Sequence, residues 1–324
     1  MNNNVGVAKK FAQKYYKENG VIVYSGTLAI ESALICAGIK NGDKVLMSST
    51  YCYSIFEAIK KVGAIPVILI PKNIFTFTKE ELESAIKKEK DIKCIIVAHQ
   101  YGIVQPMREI KKICKNDITI IEDVAQAWNI VDGGYNAGIY SDYVITSFGK
   151  TKPLSYGIGG AVFSNNSLNE HFDFYDNNSR SSMKPLIPYT FPNCKKVNVN
   201  KLIKIGDKNI KKQQQIAELL TLGLINNENI EIVVDTMYNT SVWHRFPIII
   251  KDKKYTKVIQ LLLKQSKVKY QLPHEDELYE TDMIKCSDSI IIGKNNKEYD
   301  IILIRTRNNK TKNINKFLRL VKGN

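Results

Sequence analysis

The chain has 324 residues, 24% charged and 44% hydrophobic, with 47 basic and 32 acidic side chains and a formal net charge of +15. That length supplies a core for one large domain or two ordinary ones, and no apolar run approaches the ~20 residues of a membrane span. The first residues lack the continuous apolar stretch of a secretory signal, and six scattered cysteines without a CxxC pair argue against a disulfide framework or a zinc ribbon. A cytoplasmic protein is the expectation.

In chain order, the first 165 residues alternate short β-rich runs with amphipathic segments, the pattern of an α/β domain with a mostly parallel sheet. A helix is predicted over Lys9–Lys17 and a strand over Val21–Tyr24. Ser25-Gly26-Thr27 opens a second helix, which Gly38 stops. Strands follow at Lys44–Met47, Pro66–Ile70, Cys94–Ala98 and Ile118–Ile121, the last ending at Glu122-Asp123. The helices between them fall on Ile55–Val62, Lys79–Lys88 and residues 106–114. Tyr143–Thr146 and Ala161–Ser164 complete the set, with a Gly-rich turn between them. Chemistry is expected at the carboxyl ends of these strands, where crossover connections leave a crevice.

Residues 165–212 are polar, rich in Asn and Lys, and read as loops and a connector. Helices are predicted over Lys211–Leu224, Tyr255–Lys264 and Asn313–Val321, and strands over Trp243–Ile250 and Ile301–Ile304. The expected division is a large α/β domain over 1–170, a connector over 171–212, and a smaller α+β domain over 213–324. The first 150 residues carry a net +4, leaving +11 for the rest. The cluster Lys195, Lys196, Lys201, Lys204, Lys208, Lys211 and Lys212 reads either as attraction for a polyanion or as solvated lysines. Only six arginines occur in the chain, which favours the second reading and disfavours nucleic acid as a partner.

Gly149-Lys150-Thr151 resembles the end of a P-loop, but Val144 stands where that motif needs its first glycine. Three other features suggest one chemistry. Ser25-Gly26-Thr27 lies between a strand and a helix, where free N–H groups meet an anion. Asp123 ends a buried strand and needs a partner. Ser147-Phe148-Gly149-Lys150-Thr151-Lys152-Pro153-Leu154 places lysines just beyond a strand, before Gly157-Ile158-Gly159-Gly160. Each has an ordinary alternative: a helix cap, another cap, surface lysines. Together they match pyridoxal phosphate, which requires a lysine for the Schiff base, an acid for the pyridinium and a helix start for the phosphate.

The stretches SGTLAIESALICAGIKNGDKV, VGAIPV, VAHQYGIVQPM, IEDVAQA and SFGKTKPLSYGIGGAV resemble, in order, the DegT/DnrJ/EryC1/StrS group of sugar aminotransferases. That group is a branch of the fold-type I pyridoxal-phosphate enzymes. The resemblance implies a large mostly parallel sheet flanked by helices plus a smaller C-terminal α+β domain. It implies that Lys152, rather than Lys150, carries the cofactor, that Asp123 pairs with the pyridine nitrogen, and that Gln126 lies against the ring. Gly26, Thr27 and Ser147 would contact the phosphate. The implied reaction moves an amino group from an amino acid, glutamate by resemblance, to a keto-sugar that is nucleotide-linked. A homodimer is implied as well. Alternatives are amination of a small keto-phosphate, a decarboxylase, or, much further off, a polyanion-binding protein. Lysine at 152 disfavours the family's dehydratase branch, in which a histidine replaces it.

The chain departs from the family pattern in three places. Cys52, flanked by Tyr51 and Tyr53, stands where the family stacks an aromatic on the ring, so the thiol or a neighbouring tyrosine covers the ring face. Asn178 and Arg180 are loose stand-ins for residues that reach the partner's cofactor phosphate. The C-terminal part is shorter, though Trp243-His244-Arg245-Phe246-Pro247 is similar to the family's first small-domain strand. His99 matches a family histidine and reads as structural, and Trp128 as packing. His171, His244 and His274 have no metal-ligand spacing, so no metal is expected. Arg245, Arg305 and Arg307 read either as surface residues or as bidentate partners of a carboxylate or phosphate.

Overall fold

A computed structural model describes residues 2–72, 75–132, 135–155, 157, 159–168, 199–233, 241–273, 288–293 and 299–323. The first half runs α1 (Asn2–Lys14), β1 (Asn19–Val23), α2 (Gly26–Cys36), β2 (Lys44–Ser48), α3 (Tyr53–Lys61), β3 (Ile65–Leu69), α4 (Lys79–Lys88) and β4 (Ile92–Ala98). It continues through α5 (Met107–Cys114), β5 (Thr119–Asp123), the short pair β6 (Val131–Asp132) and β7 (Tyr135–Asn136), then β8 (Tyr143–Ser147) and β9 (Gly160–Ser164). The second half runs α6 (Val199–Leu224), β10 (Ile230–Ile232), β11 (Phe246–Ile250), α7 (Lys253–Gln265), β12 (Tyr270–Gln271), β13 (Ile290–Ile292), β14 (Asp300–Ile304) and α8 (Thr311–Lys322).

Eight strands form one sheet in the order β1-β9-β8-β5-β4-β2-β3-β13. From β8 to β13 neighbouring strands are parallel, while β9 runs antiparallel to both β8 and β1. The central strands are apolar runs buried along nearly their whole length, as expected when helices cover both faces. Helix α2 is buried from Leu28 to Leu34, and Ser25 caps it by accepting the Leu28 N–H at 3.1 Å. In α4 the Thr78–Glu81 pair closes a reciprocal capping box. This is the α/β architecture expected from the sequence.

The second sheet, β10-β11-β14-β12, is antiparallel throughout and packs its own core around Phe246, Ile259, Ile302 and Phe317. β13, late in the chain, pairs with β3 at the edge of the large sheet.

The structure corrects some of the predicted bounds. The segment read as connector up to residue 212 is helical from Val199, so α6 begins twelve residues earlier than Lys211. Its polar surface concealed a stripe of buried contacts, Leu202, Gly206 and Ile210, packed toward Trp128 and Leu154. Lys204, Lys208, Lys211 and Lys212 are exposed on that helix. The strand predicted from Trp243 starts at Phe246, because Trp243 has a left-handed backbone (φ 52°) that no strand accommodates.

Candidate active site

Gly26, Thr27, Cys52, Asp123, Gln126, Ser147 and Lys152 all line one cavity of about 210 Å³. They arrive from separate elements: the start of α2, the residue before α3, the end of β5 and the turn after it, the end of β8, and the turn beyond β8. The cavity therefore sits at the carboxyl ends of the parallel strands. Lys152, not the exposed Lys150, is the lysine on its wall.

At one end the start of α2 faces β8. The Leu28 N–H is taken by Ser25 Oγ and the Ala29 N–H by Ser25 O. The N–H groups of Gly26 and Thr27 have no partner within the helix and meet the cavity at the positive end of its dipole. A Cβ on Gly26 would come within 2.9 Å of Ser147 Cβ and 3.0 Å of Ser147 Oγ. Glycine at 26 thus keeps helix start and serine side by side, an anion cradle that a side chain would fill.

Asp123 occupies the floor. Its Oδ1 accepts the Ala125 N–H at 2.8 Å. Burial pushes its carboxyl above the usual range, and the Ala125 N–H and the Lys152 charge offset this only in part. A cationic N–H placed against Asp123 would repay that burial. Lys152 rides on a turn held by its own N–H to Gly149 O at 2.9 Å. Asn209 of α6 binds the next carbonyl, Pro153 O, at 2.8 Å, and Arg307 binds Lys152 O at 2.7 Å.

Behind Asp123 lies a polar network centred on His99 and Glu122. The Gln105 N–H donates to His99 Nδ1 at 3.0 Å, so that nitrogen carries no proton, and His99 Nε2–H donates to Glu122 Oε1 at 2.8 Å. Glu122 Oε2 accepts from Gly138 N at 2.9 Å and Ser141 Oγ at 2.7 Å. Burial alone would raise the Glu122 carboxyl, but the hydrogen bonds of His99, Ser141 and Gly138 hold it below the usual range. His99 reaches the cavity wall with both nitrogens committed inside the protein, which suits the structural role read from the sequence.

Gln126 is pinned at both ends of its amide: Oε1 accepts the Tyr101 N–H at 3.2 Å and Nε2 donates to Gln100 Oε1 at 2.8 Å. Gln100, which sequence reasoning missed, also lines the cavity and binds Thr50 O at 3.2 Å. Its only signal was its place beside His99 at a strand end. Of the three candidates for the ring face, Cys52 lines the cavity, with Ser54 Oγ donating to its sulfur at 3.2 Å. Tyr51 turns into the core against Phe77, and Tyr53 packs on Phe56. Trp128 is fully buried, its Nε1 donating to Asp207 at 2.9 Å. Asn178, Arg180, His171 and His274 lie outside the described residues, among which no group of three metal-ligating side chains occurs.

A profile of the DegT/DnrJ/EryC1/StrS aminotransferase family matches residues 2–289. The chain belongs to this family. GDP-perosamine synthase of Escherichia coli O157:H7 is 32% identical over 160 residues, 48% of this chain and 43% of that protein. The chain spans between 27% and 43% of the length of the first curated relatives it matches. Among solved structures, a family aminotransferase from Brucella abortus superposes with a TM-score of 0.83 at 19% identity, covering 100% of this chain and 90% of that one. The NtdA protein of Bacillus subtilis, solved with bound cofactor PMP, gives 0.79 at 20% identity over 98% of this chain and 77% of its own. The fold is therefore that of the fold-type I aminotransferases.

Proposed function

We propose that this protein is a pyridoxal-phosphate-dependent aminotransferase acting on a keto-sugar. The observation that carries this reading is the meeting of three demands on one 210 Å³ cavity: an anion cradle at Gly26, Thr27 and Ser147, a buried carboxylate at Asp123, and the amine of Lys152. The donor set fits the cofactor, because the cradle that a Cβ at 26 would close suits a phosphate, and Asp123 offers a buried acid to a ring N–H.

When bound, pyridoxal phosphate supplies an electron sink for the carbon that loses its proton. The rest falls to the chain. Gly26, Thr27 and Ser147 would hold the phosphate. Asp123, ionised, would pair with the ring nitrogen, and that cation would offset the burial that raises its carboxyl. Cys52 and Gln126, the latter pinned by Gln100 and Tyr101, would lie beside the ring. Lys152 Nζ would take the proton from the substrate carbon as general base and give it back as general acid. The His99–Glu122 network fixes the backbone and packing behind Asp123 and transfers no proton.

The donor in this reading is glutamate and the acceptor a nucleotide-linked keto-sugar, with the protein working as a cytoplasmic homodimer. Kinship with GDP-perosamine synthase supports the acceptor class. The test is direct. Purified protein should show a visible absorption band, lose it on addition of glutamate, and regain it with a keto-sugar nucleotide. Borohydride should fix the cofactor to the peptide containing Lys152. Cofactor on the Lys150 side chain, or none at all, would overturn the assignment.

A further inference from the structure

Three of the six arginines of the chain gather at the join between the Lys152 turn and the second sheet. Arg245 directly precedes β11 and Arg305 directly follows β14. These strands pair with Phe246 opposite Ile304, so the two arginines leave the sheet side by side. Arg307 lies two residues further and reaches back to Lys152 O at 2.7 Å. Arg245 Nε donates to Gln271 Oε1 at 3.1 Å, and its NH1 donates to His244 O at 2.9 Å and meets His244 Nε2 at 3.0 Å. Among the described residues none of the three guanidinium groups forms a salt bridge with a carboxylate.

Two buried donors in the same cluster lack acceptors. Arginine can only donate, so His244 Nε2 accepts from Arg245 and the imidazole proton sits on Nδ1. That Nδ1–H, on a residue only 2% exposed, finds no partner among the described residues, and neither does the buried Nε–H of Arg305. Burial first, then the charges of Arg245, Lys152, Arg307 and Arg305, hold His244 well below its ordinary value and keep it neutral. Crowding by Arg305 adds to burial in lowering Arg245 to about 10. Unmatched cations with two stranded N–H groups describe a site completed by an oxyanion.

We propose that Arg245, Arg305 and Arg307, with His244, form a subsite for an oxyanionic group of the amino acceptor, a phosphate or a carboxylate. This inference rests on the aminotransferase reading of Lys152 and specifies the chemistry of its second substrate. Arg307 holds the backbone carbonyl of Lys152, which puts the cluster beside the lysine turn. An amino acid donor carries only carboxylates, whereas an acceptor sugar can carry a phosphate. Three guanidinium groups also match a phosphate or diphosphate better than a single carboxylate.

The experiment uses holoprotein whose cofactor has been fixed with borohydride, so that the cofactor's own phosphate site is filled. Failure to fix any cofactor on Lys152 would defeat the underlying reading, and is seen before any anion is added. Calorimetric titration with inorganic pyrophosphate, UDP, GDP and glucuronate then reads the subsite. Wild-type protein should bind at least one of them, more weakly as salt rises. Arg305→Gln and Arg245→Gln should each lower that affinity by tenfold or more, and Arg305→Lys by an intermediate factor, because charge survives but the planar fork does not. Unaltered thermal melting of Arg305→Lys guards against a folding defect. The loss of anion affinity should exceed any loss in the donor half-reaction with glutamate, measured on unreduced protein, by tenfold or more. Tightest binding of a nucleotide, of pyrophosphate or of glucuronate identifies a nucleotide-linked, phosphorylated or acidic acceptor. Equal losses in donor half-reaction and anion affinity, no binding of any probe, or binding indifferent to both glutamine variants would overturn the proposal.

Discussion

Two regions on either side of the Lys152 turn handle buried polar groups in opposite ways. Behind Asp123, on the parallel sheet, each oxygen of Glu122 has a donor and each nitrogen of His99 a partner. Across the Lys152 turn, near the antiparallel sheet, His244 Nδ1 and Arg305 Nε have none among the described residues. The His99–Glu122 pair is finished by the chain itself and acts as a rigid backing, with Gln105 Oε1 beside it lacking a partner among the described residues. The second region is left open at a free-energy cost, since a stranded buried donor costs about 1–3 kcal/mol. A closed network preorganises a site, and an open one marks where a ligand supplies the missing atoms.

The contrast can be broken or sharpened by substitution. Lys152→Ala should cause the largest effect, a fall in both half-reactions on the order of 10³ or more, as the proposed role of general base requires. Stopped-flow absorbance with glutamate reads it, and a fall of less than tenfold would remove Lys152 from the chemistry. Glu122→Ala should destabilise the protein by about 3 kcal/mol or more, because it strands donors on His99, Ser141 and Gly138 at once. Urea midpoints at constant m-value check this.

Asp123→Asn should slow transamination by on the order of 10², a loss felt mainly in the transition state. The same change should stabilise the cofactor-free protein at neutral pH. The carboxyl of Asp123 is raised in the folded state, so between its unfolded and folded values the native protein binds more protons. Stability from this group is thus lost as pH rises through that window, and the Asn variant should lack that decline in melts taken from pH 4 to 8. Gly26→Ala should weaken cofactor binding about tenfold, or about 1.4 kcal/mol, with a smaller shift in unfolding, since its Cβ meets Ser147 at the proposed phosphate site. Equilibrium dialysis of the cofactor against a melting curve separates the two. The smallest loss of stability should be that of Arg305→Gln: none, or a gain of up to about 3 kcal/mol, because it removes a buried donor that has no acceptor among the described residues. A large destabilisation there would erase the difference between the two sides.

Legibility in the sequence followed the same division. The strands of the large sheet are short apolar runs between turn residues, so Lys44–Met47, Cys94–Ala98 and Ile118–Ile121 could be read to within a few residues. The first half of α6 could not. Its buried stripe is broken by glycine and polar residues whose partners, Trp128, Asn129 and Pro153, lie far back in the chain. Gln100 was equally hidden, since an amide in a turn means nothing until Gln126 is seen to bond it.

By itself the sequence determined the period-two and helical patterns, and hence an α/β sheet with strand ends at Asp123 and Ser147. It also determined the short motifs around Gly26, Asp123 and Lys152, because each is contiguous and its chemistry depends on residue type and local geometry. Only the tertiary structure decided that Cys52 rather than either tyrosine reaches the cavity wall, and that His99 is locked by Glu122. It alone drew Arg245, Arg305 and Arg307 to the Lys152 turn, through the pairing of β11 with β14 and the reach of Arg307 to a carbonyl 155 positions away. The physical reason is range. Turn and helix propensities act within a few residues, whereas which side chain enters a cavity, and which buried donor finds an acceptor, depends on chain segments that only folding brings together.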